Sequence, residues 1–88
     1  RIVLVGVSTN ISVECSARTA GNLGFATVVV SDAAFAFAMT DYAGRSRSAD
    51  EVHAMALANL GVEYATIMET RMVLDALAGE IDHGSGGV

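Results

Sequence analysis

The chain has 88 residues and a formal net charge of −5, and its five basic residues, all Arg, are scattered; that is one small domain, and its charge argues against a nucleic-acid partner. Its one Cys excludes an internal disulfide and fits a reducing, cytoplasmic setting. His53 and His83 stand alone, so no metal is expected. No signal peptide is visible, and the longest uncharged stretch, between Arg18 and Asp32, is too short for the roughly 20 residues of a membrane span.

The apolar run Ile2–Val7 reads as a buried strand, and Gly6 to Asn10 form a small-residue turn. A helix is expected from Asn10 or Ile11 to about Leu23, with Ile11 and Cys15 on its buried side, Val13 and Ala17 beside them, and Gly21 and Gly24 at its end. Ala26–Ser31 is a second strand whose Val28, Val29 and Val30 predict cover on both faces, closed by Asp32. Residues 33–47 read as a long loop rich in Ala, Phe and Gly, lying over the sheet. Ser48 and Glu51 have the spacing of a capping box. The helix they open runs to about Leu60, with Val52, Met55, Ala56 and Leu60 as its apolar stripe and Gly61 as its stop. Tyr64–Met68 is a third strand. Thr70 caps a last helix, Arg71–Ala78, that ends at Gly79, and Glu80–Val88 reads as a flexible tail.

Three strand–helix units in a row predict an α/β fold with a parallel sheet, built as one half of a doubly wound domain. Three parallel strands make a poor independent sheet, because an apolar edge stays open. The mean hydropathy of +0.48 points the same way: so small a domain should not need so apolar a chain. Residues 1–79 are therefore expected to be the C-terminal half of a larger domain, pairing with a missing N-terminal half or with further copies in a homo-oligomer. The absence of an initiating Met agrees.

The first strand feeds its helix through a tight turn, where α/β proteins place reactive groups. The first amides of such a helix lack internal partners and sit at the positive end of its dipole. They suit an anion, or the oxyanion formed when a carbonyl is attacked. Ser8, Thr9, Asn10 and Ser12 all lie there. The turn has neither G-x-G-x-x-G nor G-x-x-x-x-G-K-[ST], which argues against a nucleotide-binding half-domain.

Gly6, Thr9, Ser12, Val13, Ala17, Arg18 and Ala20 reproduce most of a motif: Gly, two residues, Thr, two residues, Cys-Val, then a small-residue helix with Thr/Ser-Ala-Arg-x-Ala. The pattern continues through Gly24 and Phe25, Asp32 and Ala33, His53 and Leu57, and Tyr64 to Ile67 with Thr70. Over about residues 1–78 the chain resembles the isochorismatase-like cysteine hydrolases. The resemblance implies a six-stranded parallel sheet flanked by helices, of which this chain supplies the last three strands. It implies hydrolysis of a small amide, ureido or related substrate without a cofactor. It also implies a cis peptide between Val7 and Ser8, and an oxyanion hole made by the N–H groups of Ser8 and Ser12. Ser12 stands where the family has its nucleophilic Cys; Cys15, one helical turn later, is not its replacement. The family's catalytic Asp and Lys would lie upstream, and this chain has no Lys.

A Ser hydroxyl is harder to ionise than a thiol and needs a general base. Ser12 therefore leaves three options: a Ser nucleophile, non-covalent hydrolysis, or lost chemistry in a binding or assembly subunit. Thr9, Asn10 and Phe35 are substrate-pocket candidates, with helix capping the plainer role for Thr9 and Asn10 and an interface role equally open for Phe35 and Phe37. Cys15 reads as a buried small residue. Asp32 reads as a turn former, His53 as a structural hydrogen-bonding group, and Arg45 and Arg47 as solvated or subunit-contact residues.

Overall fold

A computed structural model describes the backbone of residues 1–87 and the side chains through Gly79. Five strands and three helices follow in chain order: β1 (Ile2–Val7), α1 (Glu14–Asn22), β2 (Thr27–Phe35), β3 (Met39–Thr40), β4 (Ser46–Arg47), α2 (Ala49–Glu63), β5 (Thr66–Met68) and α3 (Thr70–Gly87). A π-helical turn over Thr9–Val13 joins β1 to α1. β1, β2 and β5 form one parallel sheet with β2 in the middle. This is the expected α/β architecture of three strand–helix units.

Register and side-chain alternation assign the two faces of the sheet. Leu4, Val29 and Ile67 pair in one row across all three strands. They pack with Val13 and Ala17 below α1 and with Leu60 of α2. The opposite face carries Val3 paired to Val28, with Val5 and Val7 following along β1. α3 packs against β2, and Val28 and Val30 are buried. Val3, Val5 and Val7 are not: they are 41%, 58% and 56% exposed. The expectation of a buried first strand therefore holds on one face only.

The start of the first helix departs from its expected phase. Its buried stripe is Thr9, Val13, Ala17 and Ala20, whereas Ile11 and Cys15 face outward. Thr9, Val13, Ala17 and Ala20 keep the ordinary helical spacing, and Ile11 and Cys15, themselves four apart, lie on the opposite side of the same helix. Gly24 ends the unit at φ +86°, where a side chain would be strained. Gly21 serves close approach: a Cβ there would stand 2.9 Å from the Tyr64 carbonyl oxygen.

Four further differences have local causes. β2 extends to Phe35 because Ala34 and Phe35 pair with Gly6 and Val7 beyond an irregularity in the register. The expected loop contains the hairpin β3–β4, closed by Asp41 N–H to the Arg45 carbonyl at 2.7 Å, with Gly44 at φ +87°. α2 continues past Gly61 to Glu63, and its stripe is Val52, Ala56 and Leu60, with Met55 turned out. α3 continues past Gly79 to Gly87; Val88 and the side chains of the expected tail lie outside the described residues.

The capping box forms as expected. The Glu51 N–H donates to Ser48 Oγ at 3.1 Å, and the Ser48 N–H donates to Glu51 Oε1 at 2.9 Å. No helix among the described residues is long and apolar enough to cross a membrane.

Candidate functional site

The C-terminal end of β1 runs into the π-turn through a cis peptide between Val7 and Ser8. The Ser8 N–H donates to Ser12 Oγ at 3.1 Å, and Ser12 Oγ donates to the Val7 carbonyl at 2.9 Å. One hydroxyl thus bridges both sides of that peptide. The Ser8 carbonyl accepts from the N–H groups of Ile11 and Val13, each at 3.1 Å. Ser8 Oγ donates to Asn10 Oδ1 at 2.6 Å. The turn is therefore closed by its own short polar side chains, which is why Ser, Thr and Asn suit it.

Thr9 is completely buried. Its hydroxyl lies 2.9 Å from Nδ1 of His53, whose Nε2 lies 2.9 Å from the Ser31 carbonyl at the middle of β2. That hydroxyl is thus engaged within the fold. Asn10 Nδ2 contacts Met39 Sδ at 3.4 Å. Phe35 pairs with Val7 at the end of β2 and is 60% exposed. Thr9 and Asn10 sit in the turn with Ser8 and Ser12, and Phe35 stands beside it.

Two hollows border this turn. The smaller, about 120 Å³, is lined by Leu4, Val5, Val7, Ser12, Val13 and Ser16. The larger, about 460 Å³, lies among the turn, the β3–β4 hairpin and α2, with Asn10, Met39 and Met55 on its wall. Of its charged groups, Asp41, Arg47 and Glu51 are engaged with one another, and Glu14 lies 3.8 Å from Arg18 Nε. Asp41 accepts from the Arg45 N–H at 2.9 Å and from Arg47 Nε at 2.8 Å, and Arg47 Nη1 lies 3.6 Å from Glu51 Oε2. Of the polar residues of the turn, Ser12 lines the smaller hollow and Asn10 the larger.

Those contacts set the electrostatics. The Arg45 amide and the Arg47 guanidinium hold Asp41 below its ordinary carboxylate pKa. The Ser48 amide and hydroxyl, and then Arg47, do the same for Glu51. Arg47 is therefore ion-paired on its own chain rather than simply solvated. Asp32 accepts from both the N–H and the hydroxyl of Thr70, each at 2.7 Å, and these two bonds lower its pKa. It caps the start of α3 across the fold, where the sequence suggested a local turn and a Thr70 cap. Among the described residues no group of three His, Cys, Asp or Glu could hold a metal ion.

Known proteins are similar to this chain in sequence and in fold. The profile of the isochorismatase domain family matches residues 1–72. An uncharacterized isochorismatase family protein of Bacillus subtilis is 38% identical over 74 residues, which are 84% of this chain and 40% of that protein. A crystal structure of an isochorismatase-family protein from Chromobacterium violaceum superposes with a TM-score of 0.85 at 53% identity, over 88% of this chain and 40% of that one. An isochorismatase-like protein from Oleispira antarctica gives a TM-score of 0.78 at 26% identity, over 83% and 38%. The chain thus spans about 40% of the length of these relatives.

Proposed function

The chain belongs to the isochorismatase family, and from that premise we propose that the protein carrying it hydrolyses a small C–N compound, of amide or ureido type, at the end of β1. The observation that carries this reading is Ser12 Oγ, held 3.1 Å from the Ser8 amide at the mouth of the smaller hollow. A substrate carbonyl seated there would present its oxygen to the Ser8 and Ser12 amides. As the carbonyl carbon is attacked, charge gathers on that oxygen, and preorganised amides stabilise it more than they stabilise the ground state. The substrate oxygen would take over the Ser8 hydrogen bond that Ser12 Oγ now accepts.

The proton of Ser12 goes to the Val7 carbonyl, not to a base. A Ser nucleophile, or a directed water, needs an acceptor for its proton. In this reading that group comes from polypeptide outside these 88 residues. The 88 residues alone are accordingly inactive. In the same reading, polypeptide beyond this chain covers Val3, Val5 and Val7, either the rest of the domain or another copy.

The same hydroxyl favours a second reading, a non-catalytic binding or assembly subunit. Both of its hydrogen-bonding directions are already taken by the turn. The full-length protein, assayed on a panel of short amides and ureido acids with Ser12→Ala and Ser12→Cys, separates the two. Catalysis predicts turnover by the native protein. Covalent catalysis by Ser12 also predicts that Ser12→Ala loses it, whereas full activity in Ser12→Ala leaves non-covalent hydrolysis. A gain in Ser12→Cys means that the site geometry is intact. No turnover by any of the three favours the binding subunit.

A further inference from the structure

The turn that carries Ser8 and Ser12 is wider than an α-turn. The Ser8 carbonyl accepts from the Val13 N–H and the Thr9 carbonyl from the Glu14 N–H, each five residues on. One α-helical residue is worth about 100° of rotation. Relaxation of the turn to α-helical register would therefore rotate position 12 relative to Ser8, and the turn is anchored at each end. Downstream, Val13 and Ala17 are fixed in the core with Val29 and Leu60. Upstream, the anchor is the buried Thr9 hydroxyl on His53. The Ser31 carbonyl can only accept, so His53 Nε2 carries the ring proton and Nδ1 accepts from Thr9. The imidazole is a strut from β2 to the turn, mounted on α2.

We propose that His53 is a positioning residue: through the Thr9 hydroxyl it holds the turn in its wide form, and so fixes the direction in which the Ser8 amide and position 12 face. Without it the Thr9 hydroxyl would lose its buried partner. The turn would then relax toward α-helical register and swing position 12 away from the Ser8 amide. The inference rests on the proposed function for its choice of site but concerns the geometry of the turn, not any substrate.

The test uses the full-length protein carrying Cys15→Ser and Ser12→Cys, with iodoacetamide as probe and mass spectrometry of the peptide containing position 12. A thiolate beside an amide at a helix start forms at lower pH than a free thiol, so its alkylation reports the geometry. His53→Gln keeps a donor for Ser31 and loses the acceptor for Thr9; His53→Asn does the reverse. Thr9→Val removes the hydroxyl and Thr9→Ser keeps it. At neutral pH, alkylation is expected to fall about tenfold in His53→Gln and Thr9→Val, as a rise of about one unit in thiol pKa would give. It should stay within about twofold of the parent in His53→Asn and Thr9→Ser. The proposal is overturned if His53→Gln and Thr9→Val also stay within about twofold, or if all four variants fall together. Should His53→Gln not fold, the Thr9→Val and Thr9→Ser pair decides by the same criterion. No substrate enters the assay, so a failure to hydrolyse amides would sink the proposed function and leave this result standing.

Discussion

The two faces of β1 both carry apolar side chains, Ile2 and Leu4 on one and Val3, Val5 and Val7 on the other, in different surroundings. Leu4, on one face, continues through Val29 and Ile67 into a core closed by α1 and α2. Val3, Val5 and Val7, on the other, are exposed, with Val5 and Val7 bordering the smaller hollow, although each is as apolar as Leu4. An apolar residue on a two-sided strand implies cover, and among the described residues β1 is covered on one face. The contrast teaches which part of the fold this chain completes by itself, the β1–α1 and α2 side, and where the remaining polypeptide of the proposal would have to lie. It also locates the candidate site, because the cis turn with Ser8 and Ser12 stands at the end of the strand that is covered on one side.

Four substitutions in the full-length protein would break or sharpen this comparison. Leu60→Ala removes a fully buried side chain from the closed face and should lower unfolding free energy by about 2–5 kcal/mol in denaturant titration. Val5→Asp is the matching probe of the open face. If polypeptide covers that face, the charge is buried and the cost is about 3 kcal/mol; a cost below about 0.5 kcal/mol would mean that the face meets water and that the contrast has no structural partner. Gly21→Ala drives a methyl against the Tyr64 carbonyl and should cost about 1–3 kcal/mol, because backbone cannot yield as a flexible side chain would.

Asp32→Asn tests the attachment of α3 and should have the smallest effect, a few degrees in melting temperature at neutral pH. Its sign with pH is fixed by linkage. The folded-state pKa of Asp32 is lowered by Thr70, so its contribution is full above the unfolded value near 3.9 and is lost as pH falls through the lower folded value. The melting temperatures of Asp32→Asn and the native protein should therefore converge in strong acid.

The parts of the fold set by local rules could be read from the sequence. β1 has its expected bounds, the Ser48–Glu51 capping box is formed, and Gly24 ends its unit at positive φ. Each depends on neighbours a few positions away. The parts that depend on distant residues could not be read. Asp32 caps a helix that begins 38 residues later, and β2 runs on to Phe35 only because β1 lies beside it. The outward turn of Ile11 and Cys15 has a different cause: they keep the same four-residue spacing as Thr9, Val13 and Ala17, and periodicity alone does not choose between the two stripes. At the site, the cis bond between Val7 and Ser8 was legible through the family resemblance, whereas the His53–Thr9 contact was not. A histidine outside the apolar stripe of α2 gave no sign that its partner lay 44 positions earlier.

The central claim is that the Ser8 and Ser12 amides await a negatively charged oxygen. A crystal structure of the full-length Ser12→Cys protein treated with a short aldehyde tests it directly, since the thiol adds to the carbonyl carbon and its proton passes to the oxygen. The account predicts a thiohemiacetal at position 12 with that oxygen within hydrogen-bonding distance of both amides. An adduct whose oxygen faces solvent, or reaction at Cys15 with none at position 12, would contradict it.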